Sequence, residues 1–240
     1  DFSGDDEEFG VEFNSFRSDP LSPKRYKELF DSEGRLTDEH TLRQTVFRGG
    51  VDPSIRQDVW CFLFNVFPYC STEKERVFLE MERVSEYYAL KARWTRTLLK
   101  HFPNFNLYRC DNFIMENKPV HQWNAGVSEK FIEEKCETFQ CSDEVAKLTA
   151  KISASRMDCP ISLIQESLRI IAKDVPRTDR SHPYFKDRED HLLQLRDVLM
   201  TASVFMPEVG YVQGMNDIMA RFLVVFDSEV RMNSLACINA

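Results

Sequence analysis

Two polar side chains of complementary chemistry, Arg177 and Gln213, lie where helical patterns break. A guanidinium group can neutralise the charge that develops on a transferring phosphoryl group. A carboxamide can accept a hydrogen bond from an attacking water and donate one to the phosphate. The sequence contains no glycine-rich loop with Lys and Ser or Thr that would hold a nucleotide itself. The pair therefore predicts a protein that completes the nucleotide site of another protein.

The elements that position Arg177 are a helix and the proline that ends it. Apolar residues recur every three or four positions from Ile164 to Val175, which is the spacing of one helix face. Pro176 cannot continue this helix, because it lacks an N–H group and clashes with the preceding turn. Arg177 is therefore predicted just past a helix C-terminus.

Gln213 is predicted on a tight turn between two further helices. The first helix runs from Leu192 to Phe205 and the second, largely apolar, from Met215 to Phe226. Gly210 and Gly214 bracket the connection, and glycine permits the backbone conformations that tight turns need. No segment of the chain alternates convincingly with a two-residue period, so the predicted fold class is all-α.

These residues belong to a set of motifs that together resemble the TBC domain, the family of Rab GTPase-activating proteins. The resemblance covers about residues 27 to 229. The motifs that carry it are Ile171-x-x-Asp174-x-x-Arg177-Thr178, Tyr211-x-Gln213, the segment Phe47–Val51, Arg56 and Trp60. It implies an irregular multi-helix domain that stimulates GTP hydrolysis by a Rab-family small GTPase and acts in vesicle trafficking.

The resemblance also implies roles for individual residues. Arg177 and Gln213 would be supplied in trans as an arginine finger and a glutamine finger. Asp174 and Thr178 would support the arginine loop, and Tyr211 would support the glutamine turn. Arg56 would be a structural partner for an acid, with Asp174 as the expected partner. GTP and Mg²⁺ would belong to the GTPase, so the chain would carry no cofactor or metal of its own.

The end of the chain leaves a second interpretation open. The family continues from the helix after the glutamine turn into an aromatic run and a second set of helices, whereas residues 227–240 follow a different pattern. We therefore expect only the N-terminal portion of the domain. The alternative function is a catalytically inactive Rab-binding or scaffolding module, because the groove that grips a GTPase would be incomplete.

Composition narrows the classes of partner. The chain has 240 residues and a net charge of −8, which disfavours general binding of nucleic acid. No apolar run is long enough to cross a bilayer. The seven cysteines form no C-x-x-C pair, which indicates reduced thiols. We expect a cytoplasmic protein that could be recruited peripherally to intracellular membranes.

The remaining regions define the predicted domain organisation. Residues 1–20 form an acidic tail that we expect to be disordered, and residues 21–240 form the domain, with a variable insertion around residues 101–160. The box Thr72-x-x-Glu75 predicts the start of a long helix that reaches Leu98. Its basic run Lys91–Lys100 is interpreted as a solvated face, with contact to a GTPase as the lesser option.

Overall fold

The computed structural model describes residues 17–103, 105, 107 and 144–226. These residues form eight α-helices, two short 3-10 helices and no strand, which confirms the all-α prediction. The α-helices are α1 (Pro23–Lys27), α2 (Glu39–Gly49), α3 (Arg56–Leu63), α4 (Glu73–His101), α5 (Glu144–Arg156), α6 (Ile161–Asp174), α7 (Glu189–Phe205) and α8 (Met215–Phe226). The 3-10 helices are Pro53–Ile55 and Val175–Arg177.

Helix starts follow the local chemistry that the sequence indicates. Thr72 accepts from the backbone N–H of Glu75 while the Glu75 side chain accepts from the backbone of Thr72, so the predicted capping box opens α4. Asp52 caps the 3-10 turn that leads into α3, with proline in the first turn. The spacing of the apolar residues Val59, Leu63 and Phe67 predicts a helix that reaches Phe67, but α3 ends earlier, at Leu63.

The larger hydrophobic cluster joins α4, α6, α7 and α8. Helix α7 lies at its centre, since residues all around its circumference are buried, including Leu195, Val198 and Met200. Trp94 of α4 is 1% exposed and donates its indole N–H to Thr201 of α7 at 3.0 Å. This cluster supports the segments on both sides of Arg177 and Gln213.

A smaller cluster contains α1, α2 and α3. Its buried side chains include Leu21, Leu42, Val59 and Phe62. Trp60 on α3 faces α8 and lies edge-on to Phe222 with ring centroids 5.5 Å apart. The Gln57 side chain also donates to the Val225 carbonyl at 2.8 Å. Helix α8 therefore packs within the larger cluster and also contacts α3.

The basic run on α4 is not simply the solvated face that was predicted. Lys91 Nζ lies 2.8 Å from a carboxylate oxygen of Asp197 on α7, and both side chains are largely buried. Arg93 donates to the carbonyl of Ser155. Lys91, the first lysine of the run, is thus paired with a buried acid on a neighbouring helix. Sequence periodicity does not reveal such a partner.

Several sequence predictions fall outside the described residues. They concern most of the acidic tail, much of the insertion around residues 101–160 and the chain end from residue 227. One or two weak helices are predicted in the insertion, near residues 131–139 and 145–152; the first lies outside the described residues, and the second corresponds to α5. Among the described helices, none has both the length and the apolar character of a membrane span.

Candidate functional site

The arginine loop begins where α6 ends. Helix α6 stops at Asp174, and the 3-10 turn Val175–Arg177 follows, with Pro176 inside it. The Thr178 hydroxyl donates to the Asp174 carbonyl at 2.9 Å and so satisfies a backbone acceptor that the ended helix leaves open. Arg177 lies past the helix end, as predicted, and its side chain is 63% exposed.

Arg177 is held by the acid three residues before it. Its Nη2 donates to Asp174 Oδ1 at 2.5 Å, and the Asp174 side chain is only 3% exposed. The aspartate is therefore a buried anchor and the arginine an exposed partner. One N–H of the guanidinium is used in this contact, and the group carries five.

The glutamine turn is shaped by its backbone. Gly210 and Gly214 have φ values of +63° and +98°, in the left-handed region that favours glycine. Gln213 lies between them and is exposed. Val212 donates its backbone N–H to the Met215 sulfur at 3.4 Å, which closes the turn onto the start of α8. The side chain of Gln213 therefore points from a defined backbone turn into solvent.

A buried side-chain network joins the two loops. The Tyr211 hydroxyl lies 2.8 Å from Asp174 Oδ2 and 3.0 Å from Asn216 Oδ1. Asn216 Nδ2 donates to the Thr178 hydroxyl at 2.9 Å. The contact between Tyr211 and Asp174 spans 37 positions of sequence. Arg177 and Gln213 are therefore carried by segments that share one set of hydrogen bonds.

The electrostatics of this network favour a protonated tyrosine. Burial and the hydrogen bond to the Asp174 carboxylate raise the pKa of Tyr211 well above its usual value of 10. The hydroxyl therefore remains a donor to Asp174 throughout the neutral range. Since Asp174 accepts from both Arg177 and Tyr211, it is the shared acceptor of the arginine loop and the glutamine turn.

Asn216 is the functional candidate that sequence reasoning missed. It is 5% exposed, and its amide connects Thr178 on one loop with Tyr211 on the other. Its second contact through Nδ2 is with Asp217 Oδ1 at 2.9 Å. The available signal was a polar amide in the first turn of a largely apolar helix, where burial requires hydrogen-bond partners.

An exposed ion pair adds a second tie between the arginine loop and α8. Arg221 lies 3.3 Å from both carboxylate oxygens of Asp179. Asp179 has φ +40°, a left-handed conformation that Asp and Asn tolerate better than most other residues. The residue that follows Thr178 is thus held against α8 in a conformation with some backbone cost.

The predicted pair between Arg56 and Asp174 does not form. The two carboxylate oxygens of Asp174 accept from Arg177 and Tyr211 instead. Arg56 lies at the start of α3. The pKa of the nearby Asp52 is lowered mainly by hydrogen bonds from Ser54, and the charge of Arg56 adds to this lowering. Arg177 reaches Asp174 because the two residues are only three positions apart at the same helix end.

The site contains donors for an anion and no cluster of metal ligands. Within the described ranges, no group of three or more His, Cys, Asp or Glu side chains could hold a metal ion. The cysteines in these ranges are free thiols, with Cys61 and Cys159 buried and Cys70 exposed. The exposed guanidinium and carboxamide therefore carry the site's accessible chemistry, which is binding of phosphate oxygens and of water.

Comparisons with known proteins agree with the motifs. A family model for the Rab-GTPase-TBC domain matches residues 53–239. The chain is 27% identical over 226 residues to the GTPase-activating protein gyp7 of Schizosaccharomyces pombe. This alignment covers 88% of this chain and 23% of gyp7. The chain is also 28% identical over 223 residues to human TBC1 domain family member 25. That alignment covers 92% of this chain and 23% of the relative. The chain spans about a quarter of the length of these relatives.

Proposed function

The chain belongs to the Rab-GTPase-TBC domain family, and from this membership we propose that it stimulates GTP hydrolysis by a Rab-family small GTPase. The observation that carries the proposal is the buried network through Asp174, Tyr211 and Asn216. It ties an exposed arginine and an exposed glutamine to one rigid support. Catalysis by positioned groups requires such support, because a displacement of about 1 Å can cost about 100-fold in rate.

Arg177 would act on the phosphate. During hydrolysis, water attacks the γ-phosphorus, the bond to the β–γ bridging oxygen breaks, and GDP and inorganic phosphate form. Negative charge grows on the bridging and equatorial oxygens in the transition state, and an inserted guanidinium stabilises it. The ion pair with Asp174 uses one N–H of Arg177, so other donors of the fork are available for phosphate oxygens.

Gln213 would act on the water. Its carboxamide oxygen can accept from the attacking water, and its N–H₂ group can donate to a phosphate oxygen. The glycine-bracketed turn exposes this side chain while Tyr211, two positions earlier, is buried. The turn therefore combines an anchored end with a projecting carboxamide, which is the arrangement that a water-positioning residue needs.

The nucleotide and its Mg²⁺ would belong to the partner. Asp174, Thr178, Tyr211 and Asn216 would support the two fingers without touching GTP. We further propose that the protein works on GTPases of vesicle trafficking at the cytoplasmic face of intracellular membranes. This extension follows from the association of the family with Rab GTPases and from the exposed finger pair.

The test is single-turnover phosphate release from a panel of GTP-loaded Rab GTPases. The chain should accelerate release from at least one of them, and Arg177→Ala should remove about 10³-fold or more of that acceleration. Gln213→Ala should remove about 100-fold or more. Matched controls are Arg169→Ala, an exposed arginine on α6, and Gln44→Ala, an exposed glutamine on α2. Both should retain activity close to that of the unsubstituted chain.

The same assay separates the enzyme activator from the binding module. A folded chain that binds a GTP-loaded Rab without accelerating hydrolysis would overturn the activator proposal in favour of a Rab-binding or scaffolding role. Equal activity of the Arg177→Ala and Arg169→Ala forms would overturn the assignment of the arginine finger. Circular dichroism of every variant verifies that each is folded and helical.

A further inference from the structure

Helix α5 carries a groove on the surface that it turns to solvent. The helix packs on α4, and its buried side chains are the small residues Ala150 and Ala154. Away from this contact lies a groove with a volume of about 430 Å³. That volume is within the range of about 300–1,000 Å³ that is typical of small-ligand sites. Among the described residues, the groove is lined by Thr149, Ile152, Ser153, Arg156 and Met157, and we call these five residues the outer groove.

The outer groove has hydrogen-bond donors along one side. Thr149, Ser153 and Arg156 are four and three positions apart, which places them on one face of the helix. All three side chains are exposed. Two hydroxyl groups and a guanidinium group can donate together to the oxygens of one phosphate. The groove is therefore suited to a phosphate group.

Exposed aliphatic side chains border these donors. Ile152 in the groove is 44% exposed, and Leu148, one helical turn before it, is 60% exposed. A free phosphate ion would leave both side chains in water. A phospholipid joins a phosphate group to hydrocarbon chains, so a membrane surface can contact the donors and the aliphatic side chains at once.

The local charge of α5 favours an anionic surface, although the charge of the whole chain does not. The chain has a net charge of −8, so an anionic membrane repels it on average. Residues 145–160 contain the cations Lys147, Lys151 and Arg156 and one acid, Asp158. Lys151 and Arg156 are exposed, and neither forms an ion pair with another described residue. An anionic membrane would therefore attract the chain with α5 foremost.

We propose that the outer groove binds the phosphate headgroup of an anionic phospholipid. Arg156, Thr149 and Ser153 would donate to the phosphate, and Leu148 and Ile152 would enter the boundary between headgroups and acyl chains. Helix α5 has 13 residues and would lie along the membrane surface. Attachment by one short helix would be weak and reversible.

The proposed lipid site and the arginine loop lie at opposite ends of α6. This helix begins at Ile161, shortly after Met157 of the outer groove, and it ends at Asp174, which holds Arg177. Its 14 residues span about 21 Å, at 1.5 Å per residue. The outer groove is therefore separate from the two fingers, and lipid binding there does not depend on the proposed function.

The test measures sedimentation of the chain with vesicles in the absence of any GTPase. One set of vesicles contains phosphatidylcholine alone, and the other contains phosphatidylcholine and phosphatidylserine. The unsubstituted chain should bind the mixed vesicles more strongly, and high salt should weaken this binding. Arg156→Gln should weaken it about fivefold, which corresponds to about 1 kcal/mol for one cation near an anionic membrane. Ile152→Ser should also weaken it about fivefold, because less apolar area is buried in the membrane.

Matched controls separate the outer groove from general charge and general exposure of apolar residues. Arg25→Gln changes an exposed arginine on α1, and Val77→Ser changes a valine on α4 that is 53% exposed. Both should bind the mixed vesicles as the unsubstituted chain does. All four substitutions are at solvent-accessible positions, and circular dichroism verifies that each variant is folded.

Four results of the vesicle assay would overturn the inference. They are no binding by the unsubstituted chain, equal binding to both sets of vesicles, equal weakening by Arg156→Gln and Arg25→Gln, and equal binding by Ile152→Ser and Val77→Ser. The third would assign the attraction to charge in general. The fourth would remove the contact with hydrocarbon.

Two other occupants would also overturn the inference. Calorimetry with glycerol 3-phosphate tests a soluble ligand. Binding that Arg156→Gln removes and Ile152→Ser leaves unchanged would assign the groove to a soluble phosphate compound. If the chain alone sediments as a dimer that Ile152→Ser dissociates, the groove belongs to a second copy of the chain. A monomer whose binding to mixed vesicles requires both Arg156 and Ile152 supports the phospholipid as the occupant.

Discussion

The arginine loop and the glutamine turn present their exposed side chains by different means. Arg177 is held by a side-chain ion pair to the buried Asp174, at a helix end that Pro176 enforces. Gln213 has no corresponding side-chain hydrogen bond within the described residues, and its position follows from the left-handed backbone at Gly210 and Gly214. One group is positioned by charge, and the other by chain conformation.

This difference indicates how each group can move. The guanidinium must retain or exchange a contact with Asp174 when it meets a partner's phosphate, whereas the carboxamide is free to choose a rotamer once the turn is fixed. The two segments still depend on each other, because Tyr211 and Arg177 share Asp174 as an acceptor. Substitutions can therefore be designed to disturb one segment, the other or their connection.

The largest effect is expected for Asp174→Ala, which breaks the connection. The change removes the acceptor for both Arg177 and Tyr211, and hydrogen bonds to charged groups contribute about 1.5–3 kcal/mol. We expect a loss of that size in the free energy of unfolding, measured by urea denaturation, and about a 100-fold loss of GTPase stimulation. Asp158→Ala, at an exposed aspartate before α6, is the control. Equal stability of the two variants would contradict the role of the network.

The next effect is expected for Gly214→Val, which disturbs the glutamine turn alone. A β-branched residue at φ +98° costs about 1–3 kcal/mol, although an added Cβ meets no atom within 4 Å. Gly50 is a matched control, since its φ is +83° and its Cβ position is equally open. Gly50→Val should lose similar stability but retain GTPase stimulation per folded molecule. If both variants lost stimulation equally, the turn would have no special role in catalysis.

A smaller effect is expected for Tyr211→Phe, which weakens the connection without removing Asp174. The loss at neutral pH should be about 1 kcal/mol, the typical net value of a hydrogen bond. Because the folded pKa of Tyr211 is raised above 10, its contribution is complete below pH 10 and is lost as pH rises further. Thermal unfolding between pH 8 and 11 should therefore show a flatter alkaline decline for Tyr211→Phe.

Tyr26 provides the comparison in the smaller cluster. Burial, assisted by the charge of Asp58, also raises its pKa above the usual value. Tyr26→Phe should likewise flatten the alkaline decline, but it should leave GTPase stimulation unchanged because it is remote from the network. An unchanged alkaline profile in Tyr211→Phe would show that its hydroxyl is not held as the geometry indicates.

The smallest effect is expected for Asp179→Asn, which affects only the exposed tie between the arginine loop and α8. The pair with Arg221 is exposed, and such pairs contribute about 0–1 kcal/mol that salt screens. Asn tolerates the left-handed backbone, so unfolding experiments at low and high salt should differ by a few tenths of a kcal/mol. Asp179→Ala should lose more, because it adds backbone strain. A larger loss of stability in Asp179→Asn than in Asp179→Ala would contradict the assignment of a separate contribution to backbone strain.

The sequence indicates the backbone of the site better than its side-chain contacts. Pro176 and the two glycines are local signals, and they correctly predict where α6 ends and where the turn before α8 lies. The partner of Arg56 was predicted wrongly, and Asn216 was not singled out. Both depend on which side chains meet across tens of residues in sequence, and neither helical periodicity nor capping rules contain that information. The residue pattern of a known family supplies part of it, since Asp174, Thr178 and Tyr211 all belong to the network.

The packing of Trp60 against α8 has a consequence for how the protein is made. The tryptophan and its partner Phe222 are separated by most of the chain, so during synthesis α3 leaves the ribosome long before α8 exists. Its aromatic face must wait for a contact made much later in the chain, so this part of the fold can close only after α8 has been synthesised. Because indole emission depends on its surroundings, the fluorescence of a form in which Trp60 is the sole tryptophan would report the moment when the helix behind the glutamine turn docks.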